Sequence, residues 1–376
     1  MLIWDQLTQL EQALWIGFFV ATGIQILYFL LLFVRIPFHK SPPESANLPA
    51  VSVIICARNE EKNLRELIPL LMEQNYPTFE VIVVNDASWD ETKETLDAFK
   101  VIYSNFHPIH LDEQKQRMTG KKFALTLGLK AAKHDIVLMT DADCRFESSN
   151  WISSMIAPII NGKDIALGYS PYQKRPGLLN AIIRFDAFQI GLMYLSFAKG
   201  GTPYMGVGRN LAYKKELFFN NGGFRSHYHI TSGDDDLFIN EVATRKNTGC
   251  ALKKDAVVWS APKVKWKDWW WQKKRHFTTA PHYRLIHKAL LALFPLSYAA
   301  MLALAITLLV INKEWLLVTA ILGARYLLQI AIFRGSSRSM GNPDIAWLSP
   351  IFELLIMLLN PLIYWSNVFN KPKTWK

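Results

Sequence analysis

Hydrophobic and polar positions divide this chain into three parts. The first is a continuous apolar run, Ala13–Val34, in which Gln25 is the one strongly polar residue. Its length suits a bilayer crossing of about 20 residues. From Ala50 the pattern changes to short apolar runs alternating with amphipathic stretches. AVSVIIC (50–56), FEVIVVN (79–85) and DIVLMT (135–140) are predominantly apolar and rich in β-branched residues, the mark of strands buried on both faces of a parallel sheet. Between them Leu64, Leu67, Ile68 and Leu71, and later Phe123, Leu125 and Leu129, recur at helical spacing. Pro69 is expected to kink the first of these helices or end it early. Asp90 or Ser88 can cap the helix after the second strand. Alternating strand and helix predict an open α/β sheet with helices on both faces. The third part is apolar again, with Leu285–Ile311 and Trp315–Phe333 as candidate spans joined by the loop 312–314.

Two further apolar segments leave choices open. Ile345–Val368 is broken by Pro350, Glu353, Asn360 and Pro361. If it crosses, the lysine-bearing tail 370–376 ends on the side opposite the middle domain; if it lies in the interface, the tail stays on the same side. Three and four crossings are both compatible with the pattern. Asn180–Lys199 carries Arg184, Asp186 and Gln189 within an apolar stretch. Charges make a crossing costly, so a helix lying in the interface with those groups wet is expected, with a buried core helix as the alternative. The resulting organisation is an anchor at 1–40, a linker by composition at 42–49 within a catalytic unit at 41–284, and a membrane region at 285–376.

Charge sharpens this layout. The net charge is +11, and the stretch 253–288 holds ten Lys and Arg against Asp255 and Asp268. Lying directly before an apolar run, it points to an anionic membrane surface or phosphates near it. Nothing in the chain accompanies it as a nucleic-acid motif, so no nucleic-acid partner is expected. Asp5 and Glu11 precede the first run and Arg35, His39 and Lys40 follow it, which puts the middle domain on the cytoplasmic side. The same acids, and the missing small-residue cleavage site, argue against a signal peptide. The expected location is integral to a membrane, the bacterial inner membrane, with the catalytic unit facing the cytoplasm. Cys56, Cys144 and Cys250 have no metal or disulfide spacing and fit a reducing compartment.

In open α/β sheets ligands bind beyond the carboxyl ends of the strands. There the chain places Glu60, Asp86, and Asp141 with Asp143. Any one could be a helix cap; three converging acidic ends suggest one crevice. Asp141 and Asp143 suit a hard cation, Mg²⁺ or Mn²⁺, that would neutralise a nucleotide diphosphate and assist its departure. Asp234, Asp235 and Asp236 repel one another, which suits a general base drawing a proton from a sugar hydroxyl, though they also suit an acidic helix start. Gly206–Asn210 lacks the third glycine of a dinucleotide motif and reads as a tight turn bringing Arg209 towards the substrates. Trp266, Trp269, Trp270 and Trp271 read as interface anchors, with sugar stacking as the alternative. Arg275 suits a diphosphate clamp.

Seven pieces together resemble the membrane-bound family 2 glycosyltransferases of GT-A fold, a group that includes cellulose, hyaluronan and poly-N-acetylglucosamine synthases. They are VSVIICARNEEKNL (51–64), QNYPTFEVIVVNDASWDET (74–92), GKKFAL (120–125), DIVLMTDADC (135–144), GVGRNLAY (206–213), SGDDDL (232–237) and QKKRH (272–276). The resemblance implies that Glu60 and Asp86 hold the uridine end of a donor, that Lys121 lies near its base or diphosphate, and that Asp141 and Asp143 meet the sugar nucleotide and metal, with Asp143 the surer ligand. It aligns the family's acidic base with Asp234, or with Asp235 after a shift of one. Gln272 and Arg275 match the family's Gln-x-x-Arg-Trp, with His276 in place of the Trp. The implied activity is inverting, metal-dependent transfer of a sugar from a UDP-like donor to a lipid-linked or glycan acceptor at the membrane, in cell-envelope synthesis. A processive synthase of a β-linked polysaccharide, a sugar nucleotidyltransferase and a non-enzymatic membrane scaffold are the alternatives.

Overall fold

A computed structural model describes residues 7–42, 47–112, 120–230, 232–311 and 314–369. Asp5, residues 43–46 of the expected linker, residues 312 and 313 of the expected loop, and the tail 370–376 lie outside them.

The chain begins with α1 (Gln9–Leu27), whose start is closed by a capping box between Thr8 and Glu11. It continues through a π-helical turn, Tyr28–Leu32, to Arg35. The middle domain then runs β1 (Val51–Ala57), α2 (Glu61–Met72), β2 (Phe79–Asp86), α3 (Thr92–Ile102), β3 (Phe106–Leu111), α4 (Lys121–Ala131), β4 (Ile136–Asp141), β5 (Cys144–Phe146), α5 (Trp151–Ile160), β6 (Ile165–Gly168) and α6 (Leu178–Gly200). After these come β7 (Leu211–Lys214), α7 (Lys215–Asn220), α8 (Asp236–Val242), β8 (Thr248–Ala251), β9 (Val258–Ser260) and α9 (Trp266–His276). The chain closes with α10 (Leu285–Ile311), α11 (Trp315–Ser339) and α12 (Ser349–Phe369). Pro69 does not end α2 early: the helix reaches Met72, and the Glu73 N–H still finds the Pro69 carbonyl at 3.0 Å. Asp90 accepts the Thr92 N–H at 3.1 Å and so serves the start of α3.

Seven strands form one sheet in the order β3-β2-β1-β4-β7-β6-β8. The three runs read from the sequence, β1, β2 and β4, lie side by side and parallel. β7 runs antiparallel between β4 and β6. Alternation along β1 divides its side chains between two cores. Val51, Val53 and Ile55 pack under α2 and α5, while Ile54 and Cys56 face α4 and α6. The second core runs without a break into the apolar helices through Phe29, Phe33, Phe294, Phe333 and Phe352. The catalytic unit and the near ends of these helices are therefore packed as one body.

Among the described residues, five helices are long and apolar enough to cross a membrane: Gln9–Arg35, α6, α10, α11 and Ser349–Asn367. The expectation that α6 lies in an interface with its charges wet does not hold. Arg184 and Asp186 are both buried, Arg184 against Asp344 at 2.6 Å and Asp186 against Lys273 at 2.8 Å. Two ion pairs with long-range partners make α6 a core helix between the sheet and the membrane region. All three cysteines are buried and unpaired with one another.

Candidate active site

The chain ends of β1 and β2 are interlocked before any functional side chain is placed. The Asn59 N–H donates to Ser88 Oγ at 2.8 Å, the Glu60 N–H to Thr92 Oγ1 at 3.0 Å, and the Trp89 N–H to Asn59 Oδ1 at 3.0 Å. Asn59 and Ala87 both hold left-handed backbone, at φ 55° and 51°. For alanine this conformation is costly and persists only where surrounding contacts over-determine it, as they commonly do at functional sites.

Beyond the strand ends lies a cavity of about 860 Å³. Glu60, Lys121, Asp141, Asp143, Arg209, Asp234, Asp235, Gln272 and Arg275 all line it. These are nine of the ten site residues expected from the sequence. Asp86 is the exception. It ends β2, one strand further from β4 than β1, and is fully buried beside Arg58 at 3.9 Å, away from the cavity wall. Its strand-end position was legible, but strand order separates it from Asp141.

Lys121, the first residue of α4, joins the two acidic clusters. Its Nζ lies 3.1 Å from Asp141 Oδ1 and 3.1 Å from Asp234 Oδ2. Burial alone pulls this ammonium down, but Asp141, Asp234 and Asp235 outweigh it and hold it well above its ordinary value. The neighbouring Lys122 has a different task. Its Nζ donates to the carbonyls of His227 and Ile230 at 2.6 and 2.9 Å, tying down the loop before the acidic triplet.

The three adjacent carboxylates are not equivalent. Asp235 accepts the Gly208 N–H at 2.6 Å and the Asp236 N–H at 2.7 Å, and so caps α8 and pins the Gly206–Asn210 turn. Burial, then the charges of Asp234 and Asp236, push it up to about 7. Asp236 accepts from Thr279 Oγ1, from the Tyr283 hydroxyl at 2.7 Å and from the Leu237 N–H at 2.8 Å. Burial raises it and those hydroxyl donors partly offset the rise. Asp234 is the one whose carboxylate faces a cation. Burial would raise it, but Lys121 outweighs burial and holds it below its ordinary value.

Asp143 is raised by burial first and by Asp141 second. Among the described residues no group of three or more His, Cys, Asp and Glu forms a preformed metal cage. Two carboxylates at the cavity edge, each repelling the other, still fit a hard cation that takes its remaining oxygens from water and a substrate diphosphate. Arg209 was expected to reach towards substrates. Its guanidinium instead donates to Ser170 Oγ at 2.7 Å, Tyr172 Oη at 3.1 Å and the Ser170 carbonyl at 2.8 Å, and stacks 4.7 Å over the Tyr172 ring. It braces the cavity wall. Gln272 Nε2 donates to the same Tyr172 hydroxyl at 3.0 Å. Ser170, Tyr172, Thr279 and Tyr283 belong to no motif, and no local pattern in the sequence marks them.

Part of the lining is apolar: Ala187, Ile190 and Gly191 of α6, Met205, Phe277, and Leu291 of α10. His276 also lines the cavity, held neutral by burial and by the positive charges of Arg275 and Lys273. Of the tryptophans, Trp269 and Trp271 line the cavity, whereas Trp270 donates to Ser366 Oγ at 3.2 Å and Trp266 is exposed.

Residues 52–219, which hold the interlocked strand ends, Lys121 and the Asp141–Asp143 pair, match Glycosyl transferase family 2. The chain carries a family 2 glycosyltransferase domain. It is similar to glycosyltransferase AglE of Haloferax volcanii, with 29% identity over 193 residues covering 50% of this chain and 60% of that protein. It is also similar to a 4,4'-diaponeurosporenoate glycosyltransferase of Staphylococcus haemolyticus, with 26% identity over 240 residues covering 60% of each chain. The chain thus spans 60% of the length of both relatives. In three dimensions it superposes on a mannosyltransferase of Pyrobaculum calidifontis solved with GDP-Man and Mn²⁺, with TM-score 0.57 and 20% identity over 92% of this chain and 99% of that one. That likeness gives the glycosyltransferase domain its GT-A fold.

Proposed function

We propose that this protein transfers a sugar from a nucleotide diphosphate to a hydroxyl acceptor held at the membrane, with inversion at the anomeric carbon. The observation that carries the reading is the Lys121 ammonium, 3.1 Å from both Asp141 and Asp234, in a cavity that is lined by apolar as well as charged side chains. That arrangement offers charged groups for a donor diphosphate and apolar surface for an acceptor around one carboxylate.

Asp141 and Asp143 would hold Mg²⁺ or Mn²⁺, which when bound supplies Lewis-acid stabilisation of the departing diphosphate. The Mn²⁺ and GDP-Man in the Pyrobaculum calidifontis enzyme support a cation and a nucleotide sugar here. Lys121 and Arg275 add positive charge where the leaving group gathers its negative charge. Glu60 lies at the start of α2 on the donor side, its carboxylate fixed by the Asn63 amide at 2.5 Å. Asp234 takes the proton of the acceptor hydroxyl as that oxygen bonds to the anomeric carbon, and the bond from that carbon to the diphosphate oxygen breaks. Asp235 and Asp236 are committed to backbone and hydroxyl donors, which favours Asp234 as the base. A donor diphosphate that draws Lys121 towards itself would also relieve Asp234 of its cation and restore its basicity.

Ile190, Gly191 and Leu291 support an acceptor with an apolar portion, a lipid-linked one, reaching the cavity from the bilayer side. The basic residues after α1, Arg35 and Lys40, support a cytoplasmic catalytic domain. Incubating the detergent-solubilised protein with UDP- and GDP-sugars, Mn²⁺ and a lipid extract, and measuring nucleotide release, tests the reading. Cation-dependent release that rises with lipid supports it. Release of pyrophosphate, or of nothing from any sugar nucleotide, contradicts it.

A further inference from the structure

Helix α12 carries the apolar stretch whose path the sequence leaves open. Ile351, Leu354, Leu358, Leu362, Trp365 and Phe369 are all exposed. Their spacing of three and four makes one stripe along the helix. The opposite face, Phe352, Ile356, Ile363 and Asn367, is buried on the protein. Glu353 is the one acidic or basic residue in the helix, and it is buried against Arg325 of α11 at 2.8 Å. A wholly apolar exposed stripe, continuous with the apolar surfaces of the neighbouring spans, has lipid as its occupant.

A crossing helix and a helix lying flat would both offer such a stripe. Their ends distinguish them. Just before α12, Asp344 accepts from Arg184 of α6 at 2.6 Å, and Asn342 Nδ2 donates to the hydroxyl of Tyr169, a cavity-lining residue, at 3.0 Å. At the other end, Ser366 accepts from Trp270 Nε1 at 3.2 Å and from Lys274 Nζ at 2.9 Å, and Asn367 Nδ2 donates to the Lys274 carbonyl at 2.8 Å. Those partners sit on α9, within a turn of Gln272 and Arg275. α6 and α9 are themselves joined by the Asp186–Lys273 pair at 2.8 Å. A helix of this length is about 30 Å long, as long as the bilayer core is thick, so crossing would carry one end to the opposite surface. Instead both ends rest on the catalytic domain. The α10–α11 turn contrasts with this: Val310, Trp315 and Leu316 are each at least 60% exposed.

We propose that α12 lies in the plane of the membrane, at the boundary of headgroups and acyl chains on the catalytic side, and that the described chain crosses the bilayer three times, through α1, α10 and α11. Trp347, stacked 4.4 Å from Arg334, and Trp365 bracket the helix as interfacial aromatics. Phe369, the last described residue, then lies on the catalytic side. None of this depends on the reaction proposed above.

Single cysteines test it in the full chain, whose own three are buried. Lys100→Cys marks the catalytic side, Asn312→Cys marks the α10–α11 loop, and Thr374→Cys marks the tail. With sealed, oriented vesicles and a membrane-impermeant maleimide, T374C labels together with K100C and opposite to N312C. Labelling of T374C together with N312C overturns the proposal. Nitroxides at Ile351, Leu358 and Trp365 give a second reading by collision with lipid-soluble oxygen and a water-soluble nickel chelate. Similar shallow depths at all three support a flat helix; a depth maximum at 358 with both ends shallow or on opposite sides overturns it.

Discussion

The two acidic clusters of the cavity are built in opposite ways. Asp141 and Asp143 follow a parallel strand, two residues apart, with their carboxylates at the cavity edge and Lys121 and one another as the charges that govern them. The Asp234–Asp236 triplet is packed inside, and two of its three carboxylates are occupied by backbone N–H groups and hydroxyls from distant parts of the chain. One cluster is left open for ligand, and the other spends most of its charge on holding the loop that presents a single carboxylate. Adjacent, chemically identical side chains can therefore differ in role through their partners alone.

The sharpest way to break this comparison is Asp234→Asn. Loss of a positioned base predicts a fall in turnover of about 10²–10⁴-fold, with donor binding retained and the fold intact, though the lost Lys121 pair lowers the melting temperature. Asp143→Asn comes next. Removing one of two charged donors predicts an increase of about 10–100-fold in the cation concentration needed for half-maximal activity, from the ~1.5–3 kcal/mol of a charge-assisted contact, partly rescued by excess Mn²⁺. A titration of nucleotide release against Mn²⁺ measures it.

Asp236→Asn sharpens the distinction from the other side. It weakens the Thr279 and Tyr283 contacts and predicts a stability loss of about 1–3 kcal/mol, visible as a lower melting temperature in detergent. The smallest effect is a pH slope. Asp235, pushed up to about 7, keeps its proton in the folded donor-free protein over a range where the unfolded chain has released it. Its contribution to stability is thus greatest at acid pH and declines as pH rises from about 4 to 7. Melting curves across that range carry this slope, and Asp235→Asn removes it.

Three parallel strands, β1, β2 and β4, and both acidic clusters were legible in the sequence because each is local; β3, which pairs parallel with β2, was not read. AVSVIIC, FEVIVVN and DIVLMT declare themselves as apolar runs rich in β-branched residues, and the acids follow directly. The strands IALG, LAYK and TGCA, of which LAYK runs antiparallel to its neighbours, are four residues each and carry no period long enough to register. Asp86 does not line the cavity with the other acids, because a strand end fixes a level in the sheet but not a distance from another strand. α6 was misread because Asp344 and Lys273, which neutralise its charges, lie 160 and 87 residues away. The same long range hid the bracing of Arg209 by Ser170 and Tyr172.

The most direct test of the central claim is to follow nucleotide diphosphate released by the purified wild-type protein and by D234N, with Mn²⁺ and with a chelator, in the presence of a lipid acceptor. Cation-dependent release by the wild type, reduced at least a hundredfold in a D234N protein that still unfolds cooperatively, is the predicted result. Undiminished release by D234N, or release indifferent to the chelator, would contradict it.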